Sequence, residues 1–144
     1  MPLHVLSWNI AAVFGMKKTV ALFLQHPTCS ADSVNGVIAA LAPMARIKIF
    51  TKHLAPEGFF DDVDLVVIPG GVGDSDSFDR LFRNNKKVVQ NFVNNGGAYL
   101  GICMGAYWAD RNYFDIIDDV RATQYIKRPN TDTRRPHQIG RAHV

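Results

Sequence analysis

Apolar residues in this chain fall into short continuous runs separated by stretches with three-and-four spacing, the pattern of strands alternating with helices. Lys18–Gln25 (KTVALFLQ) is an unbroken β-branched and apolar run, as expected of a strand buried on both faces. The turn His26-Pro27-Thr28-Cys29 comes next. Val34, Val37, Ile38 and Leu41 then recur at helical spacing, which predicts an amphipathic helix capped by Ser30 or Thr28 and ended before Pro43. Arg46–Phe50 reads as a short second strand and Asp64–Ile68 as a third, while Thr51–Val63 holds too many Pro, Gly and charged residues to be assigned. Pro69-Gly70-Gly71-Val72-Gly73 is a glycine-rich turn at the end of the third strand. A helix succeeds it, best seen over Lys86–Asn94, with Val88, Val89, Phe92 and Val93 as its buried stripe. Asn94-Asn95-Gly96-Gly97 stops it with residues that tolerate a left-handed backbone. Ala98–Ile102 is a fourth strand, Cys103 a turn, and Gly105–Asp110 the start of another helix.

Strands alternating with helices imply a parallel sheet covered on both faces, an open α/β sandwich. Ligands in such sheets bind at the C-terminal ends of the strands, so the turns carrying His26 and Cys29, Gly70 and Gly71, and Cys103 should face one crevice. The length of 144 residues allows one domain, at roughly 150 residues each. With 47% hydrophobic residues, disorder and collagen-like repeats are excluded. Residues 1–120 carry 10 Lys/Arg against 12 Asp/Glu, whereas 121–144 carry 6 against 1, so the basic balance belongs to the tail. A nucleic-acid-binding domain would spread its basic groups over a folded face, and none is expected. No apolar run reaches the ~18–20 residues of a membrane span, and no membrane association is expected. Leu3–Phe14 makes a poor signal peptide because Lys17 and Lys18 come after it. Two cysteines are too few for a secreted disulfide framework, so a cytoplasmic location is the expectation.

Gly101-Ile102-Cys103-Met104-Gly105 has the G-x-nucleophile-x-G spacing between a predicted strand and a predicted helix. A nucleophile elbow needs those glycines, since a Cβ on either would collide with the strand or the helix. A cysteine there sits where the positive end of a helix favours the thiolate. The alternative is a buried cysteine flanked by packing glycines. Gly70 and Gly71 supply a second element of acyl transfer: a backbone N–H there, with that of Met104, would form an oxyanion hole. A bare strand-to-helix turn is the competing reading. A cysteine hydrolase also needs an imidazole. Of His4, His26, His53, His137 and His143, only His26 stands just after the first strand on the correct edge, although a solvated turn histidine is the more common case; the only glutamate is Glu57. Cys29 either forms a redox pair with Cys103 or is a small apolar residue at a helix start. Metal-ligand spacing is lacking, and Asp74-Ser75-Asp76 reads as a solvated capping turn, so neither metal nor cofactor is expected.

VVIPGG (Val66–Gly71), with NNGGAYLGICMGAYWA (Asn94–Ala109) further along, resembles the class I glutamine amidotransferase superfamily, and within it the biotin-protein ligase N-terminal domain family. Ala122–Pro136 (ATQYIKRPNTDTRRP) is similar to the segment beyond the elbow in that family. The resemblance implies a flavodoxin-like three-layer sandwich with Cys103 at the nucleophile position and Gly70/Gly71 at the oxyanion turn. It also implies amide or ester chemistry on a small molecule, with a biotin ligase domain as partner in cis or in trans. Glutamine amidotransferases carry their His and Glu well downstream of the cysteine, and only 41 residues remain after Cys103 here; the related intracellular-protease branch has a histidine where Thr123 stands. The chain as it stands is therefore expected to be inactive. Ile139–Val144 is what ATC GGA AGA GCA CAC GTC encodes, a resemblance to sequencing-adapter DNA. The expected organisation is an N-terminal extension over 1–17, an amidotransferase-like domain truncated at its C-terminus over 18–137, and a non-native tail over 138–144. A noncatalytic ligand-binding or regulatory module, or a thiol-based redox or stress protein, stays open as an alternative.

Overall fold

The apolar run after Lys17 forms the strand β1 (Lys18–Phe23) in a computed structural model that describes residues 17–73 and 75–118. The expected N-terminal extension, apart from Lys17, and the expected non-native tail lie outside the described residues, as do His4, Asp74, Thr123, His137 and His143. Helix α1 (Ala31–Leu41) is next, with Ser30 as its cap: the Ser30 side chain accepts from the Ser33 N–H. Strands β2 (Ala45–Phe50) and β3 (Leu65–Ile68), helices α2 (Ser75–Phe82) and α3 (Lys86–Asn94), β4 (Ala98–Gly101) and the short α4 (Met104–Trp108) complete the order.

All four strands run parallel, in the order β2-β1-β3-β4. This is the flavodoxin-like order through its fourth strand, with the reversal of strand order between β1 and β3. Lys18 pairs with Ala45 and Phe23 with Phe50, and Leu65 to Ile68 pair with Ala98 to Gly101. Successive residues of a strand face opposite sides of the sheet. Since Val20 through Phe23 are all buried, β1 is covered on both faces, as its unbroken apolar run requires.

One part of the core is a chain of edge-to-face aromatic rings. Phe23 meets Phe50 at 5.4 Å and Trp108 at 5.1 Å, and Phe114 meets Trp108 at 5.7 Å and Phe82 at 5.9 Å. Trp108 thus carries α4 into the centre of the fold. Residues 51–63, which the hydrophobic pattern left unassigned, form no helix or strand. They are tied down by Asn85, whose buried amide accepts from the Ala55 N–H and donates to the Thr51 and His53 carbonyls, each at 2.9 Å.

Three expectations need correction. Ile38 is exposed, because it lies about 100° around the helix from the buried Val37 and only a narrow stripe of α1 meets the sheet. Helix α2 has no counterpart in the hydrophobic pattern, since its sequence SDSFDRLF is mostly polar and buries Leu81 and Phe82 at its end. The last helix starts at Met104 and ends at Trp108, one residue earlier at its start and two at its end than Gly105–Asp110. No helix among the described residues is long and apolar enough to cross a membrane.

Candidate functional site

Strand β4 ends at Gly101, and the Ile102 N–H still donates to the Ile68 carbonyl at 3.0 Å, so the chain leaves the sheet in register. It must then turn at once into α4, whose Met104, Gly105 and Trp108 are buried. Cys103 makes that turn with φ 51° and ψ −103°, and its side chain is exposed. A positive φ is uncommon outside glycine. The surroundings leave the backbone no room to relax. A methyl group on Gly101 would stand 2.3 Å from the Gly105 carbonyl oxygen, and one on Gly105 would stand 2.2 Å from that of Ile68. Tyr99 locks the same junction by donating its hydroxyl to the Gly105 carbonyl at 2.6 Å. Burial pushes the Tyr99 phenol well above its ordinary range, so it remains a donor.

The turn after β3 packs against this junction. Gly71 lies so close to Met104 that a side chain on it would begin 2.3 Å from the Met104 sulfur. The Gly70–Val72 backbone also pairs antiparallel with the turn after β1. The Ser30 N–H donates to the Gly70 carbonyl at 2.8 Å and the Val72 N–H to that of Thr28 at 2.7 Å. The three turns expected at one edge are therefore joined.

Within this arrangement the candidate donors differ. The Gly70 N–H donates to Ser33 Oγ at 2.8 Å and is already engaged. The N–H groups of Gly71 and Met104 have no hydrogen-bond partner among the described residues. Ser33 itself was not singled out from the sequence. Its place in the first turn of the helix after β1 is local, but its bond to Gly70 spans 37 residues and leaves no local signal.

His26, on the turn after β1, is exposed, and its ring has no hydrogen-bond partner among the described residues. No imidazole or carboxylate hydrogen-bonds to the Cys103 thiol among those residues. Cys29 is buried, accepts from the Gln25 N–H at 3.3 Å, and has its thiol pushed up by burial. Both cysteines are free. No three His, Cys, Asp or Glu side chains among the described residues converge to hold a metal ion.

At the opposite, N-terminal end of the strands, a cavity of about 750 Å³ lies between residues 54–64 and α3, with Phe59, Phe60 and Phe92 in its walls. Its carboxylates, Glu57, Asp61 and Asp64, stand in contrast to the edge that carries Cys103.

Comparison with known proteins finds one family: the model described as biotin-protein ligase, N terminal, matches residues 20–120. No curated protein and no solved structure matches the chain.

Proposed function

Because this chain belongs to the biotin-protein ligase N-terminal family, in which the matched segment runs from β1 past α4, we propose that Cys103 is the nucleophile of an amide- or ester-cleaving site for a small substrate. The observation that carries this reading is the positive φ of Cys103 between two glycines that admit no side chain. Strain of this kind costs about 1–3 kcal/mol, and it lifts the thiol out of the sheet edge towards solvent. In the proposed reaction the thiolate attacks the substrate carbonyl carbon, and the carbonyl oxygen becomes an oxyanion held by the N–H groups of Gly71 and Met104. Collapse expels the amine or alcohol, which takes up a proton, and leaves a thioester on Cys103. Water then cleaves the thioester to a carboxylate and the free thiol. His26 is the base we assign to the thiol proton, from its place on the turn that pairs with Gly71. The family also supports a biotin ligase domain as partner, in cis or in trans; the cytoplasm is the location we propose, from the two free cysteines.

A noncatalytic ligand-binding or regulatory module is the second reading. It is favoured by the lack of any imidazole bonded to Cys103 among the described residues. Exposure to p-nitrophenyl acetate separates the two. A nucleophilic Cys103 gives a stoichiometric burst of p-nitrophenolate and one acetyl group on Cys103 by intact mass and peptide mapping. Neither appears with Cys103→Ala. A protein that stays unacetylated, or acetylates equally in the Ala variant, overturns the enzymatic reading and leaves the binding module.

A further inference from the structure

Gly70 is engaged by Ser33, and this changes which group can reach a ligand. Ser33 Oγ accepts the Gly70 N–H at 2.8 Å, so the lone pair facing Gly70 is used and the hydroxyl proton is left to be donated elsewhere. No described residue accepts that proton. The same hydroxyl and Cys103 Cβ both border the space over Gly70. The point where a side chain on Gly70 would begin is 3.3 Å from Ser33 Oγ and 3.7 Å from Cys103 Cβ, and glycine at 70 leaves the space between them open. Ser33 is half-buried in the first turn of α1, which is anchored by the Ser30 cap and by the buried Val34 and Val37, so its position is set by the helix and not by a free loop.

The described residues of the turns around this space hold no carboxylate. Residues 24–30, 51–53, 69–73 and 102–104, which lie just beyond the four strands, contain no Asp or Glu. Their ionisable groups, apart from the two thiols, are His26, Lys52 and His53. The turn of Lys52 lies against that of β1, since the Lys52 N–H donates to Gln25 Oε1 at 3.2 Å. Asp32, the carboxylate nearest in sequence to Ser33, is exposed about 100° around the helix from it.

We infer that Ser33 is a substrate-contacting residue of the Cys103 site, donating a hydrogen bond from its hydroxyl to the carboxylate of a small carboxylate-bearing substrate. This rests on the reading of Cys103 as the reactive thiol. The Gly70 N–H holds Ser33 Oγ in place, and a hydrogen bond to a charged acceptor is stronger than one to a neutral oxygen. A positioned hydroxyl donor, beside turns whose described residues carry no carboxylate, therefore discriminates a carboxylate from its amide.

Two alkylating agents of nearly the same shape test this: iodoacetate, which carries a carboxylate, and iodoacetamide, which carries its neutral amide. Their rate ratio at Cys103, resolved by peptide mass spectrometry, is compared between the folded chain and the same chain in urea. Folding should raise the iodoacetate-to-iodoacetamide ratio at Cys103 by about fivefold, a modest charged hydrogen bond. Ser33→Ala should remove about threefold of that gain, while Ser33→Thr, which keeps the hydroxyl, should retain it. Protection of Cys29 in each variant reports that the fold is intact, and the wild-type ratio needs no variant at all. An unchanged ratio in Ser33→Ala, with Cys103 still reacting with iodoacetamide, overturns the role of Ser33 alone. No gain on folding in the wild type overturns the carboxylate assignment. A Cys103 that reacts with iodoacetamide no faster than Cys29 overturns the reading of the site on which the inference rests, and the inference with it.

Discussion

Cys103 holds a backbone conformation that suits glycine better, and the chain keeps a thiol there. If this torsion is retained for the position of the thiol, removing the side chain should relieve it. Cys103→Gly should therefore raise stability by about 0.5–1 kcal/mol, whereas Cys103→Ala, still bearing a Cβ at positive φ, should not. Urea unfolding of the two variants checks this; equal stabilities would mean that the turn carries no strain from its Cβ. Cys29 shows the opposite environment. Burial raises its thiol above the ordinary 9.0, so the stability it lends is complete below that value and is lost as pH climbs towards the folded-state value. The fall in melting temperature between pH 8 and pH 10 should accordingly be smaller in Cys29→Ala than in the parent. A fall of the same size in both would remove Cys29 from the alkaline response. The Tyr99 phenol, raised in the same direction, would persist in that variant.

At the scale of elements, the glycines on either side of Cys103 are steric requirements, because the nearest atom that a new side chain would meet is a backbone carbonyl oxygen, of α4 at Gly101 and of β3 at Gly105. Gly101→Val and Gly105→Val should each lower stability by about 2–3 kcal/mol, measured as a shift in urea midpoint at constant slope. Midpoints within error of the parent would show that the junction can open. This junction was legible in the sequence, because a strand, a G-x-C-x-G spacing and a helix leave few ways to connect. The same holds for β1 and for α3, whose Lys86–Asn94 bounds match the apolar spacing. Helix α2 was not legible, since a mostly polar segment buries too little to leave a period. Ser33 escaped for another reason. Its importance lies in a hydrogen bond to Gly70, 37 residues away, and no local pattern announces a partner at that separation.

For the whole molecule, the strand order β2-β1-β3-β4 places the reversal between β1 and β3, and the turns that leave those two strands are the ones zipped together by Ser30, Thr28, Gly70 and Val72. A parallel sheet has chemically distinct ends. Here the N-terminal end gathers Glu57, Asp61, Asp62 and Asp64, with Asp64 holding Lys18 at 3.2 Å, while the C-terminal end holds backbone donors, Ser33 and an exposed thiol. The fold thus buries one cysteine and presents the other, although both stand beyond strand ends at the same edge. Site-resolved labelling with iodoacetamide at pH 7.5, in buffer and in urea, tests this most directly. Cys103 should react at least about tenfold faster than Cys29 in the folded chain, and the two rates should converge in urea as burial and turn geometry are lost. Equal rates in buffer, or a faster Cys29, would contradict the assignment of Cys103 as the presented thiol of this site.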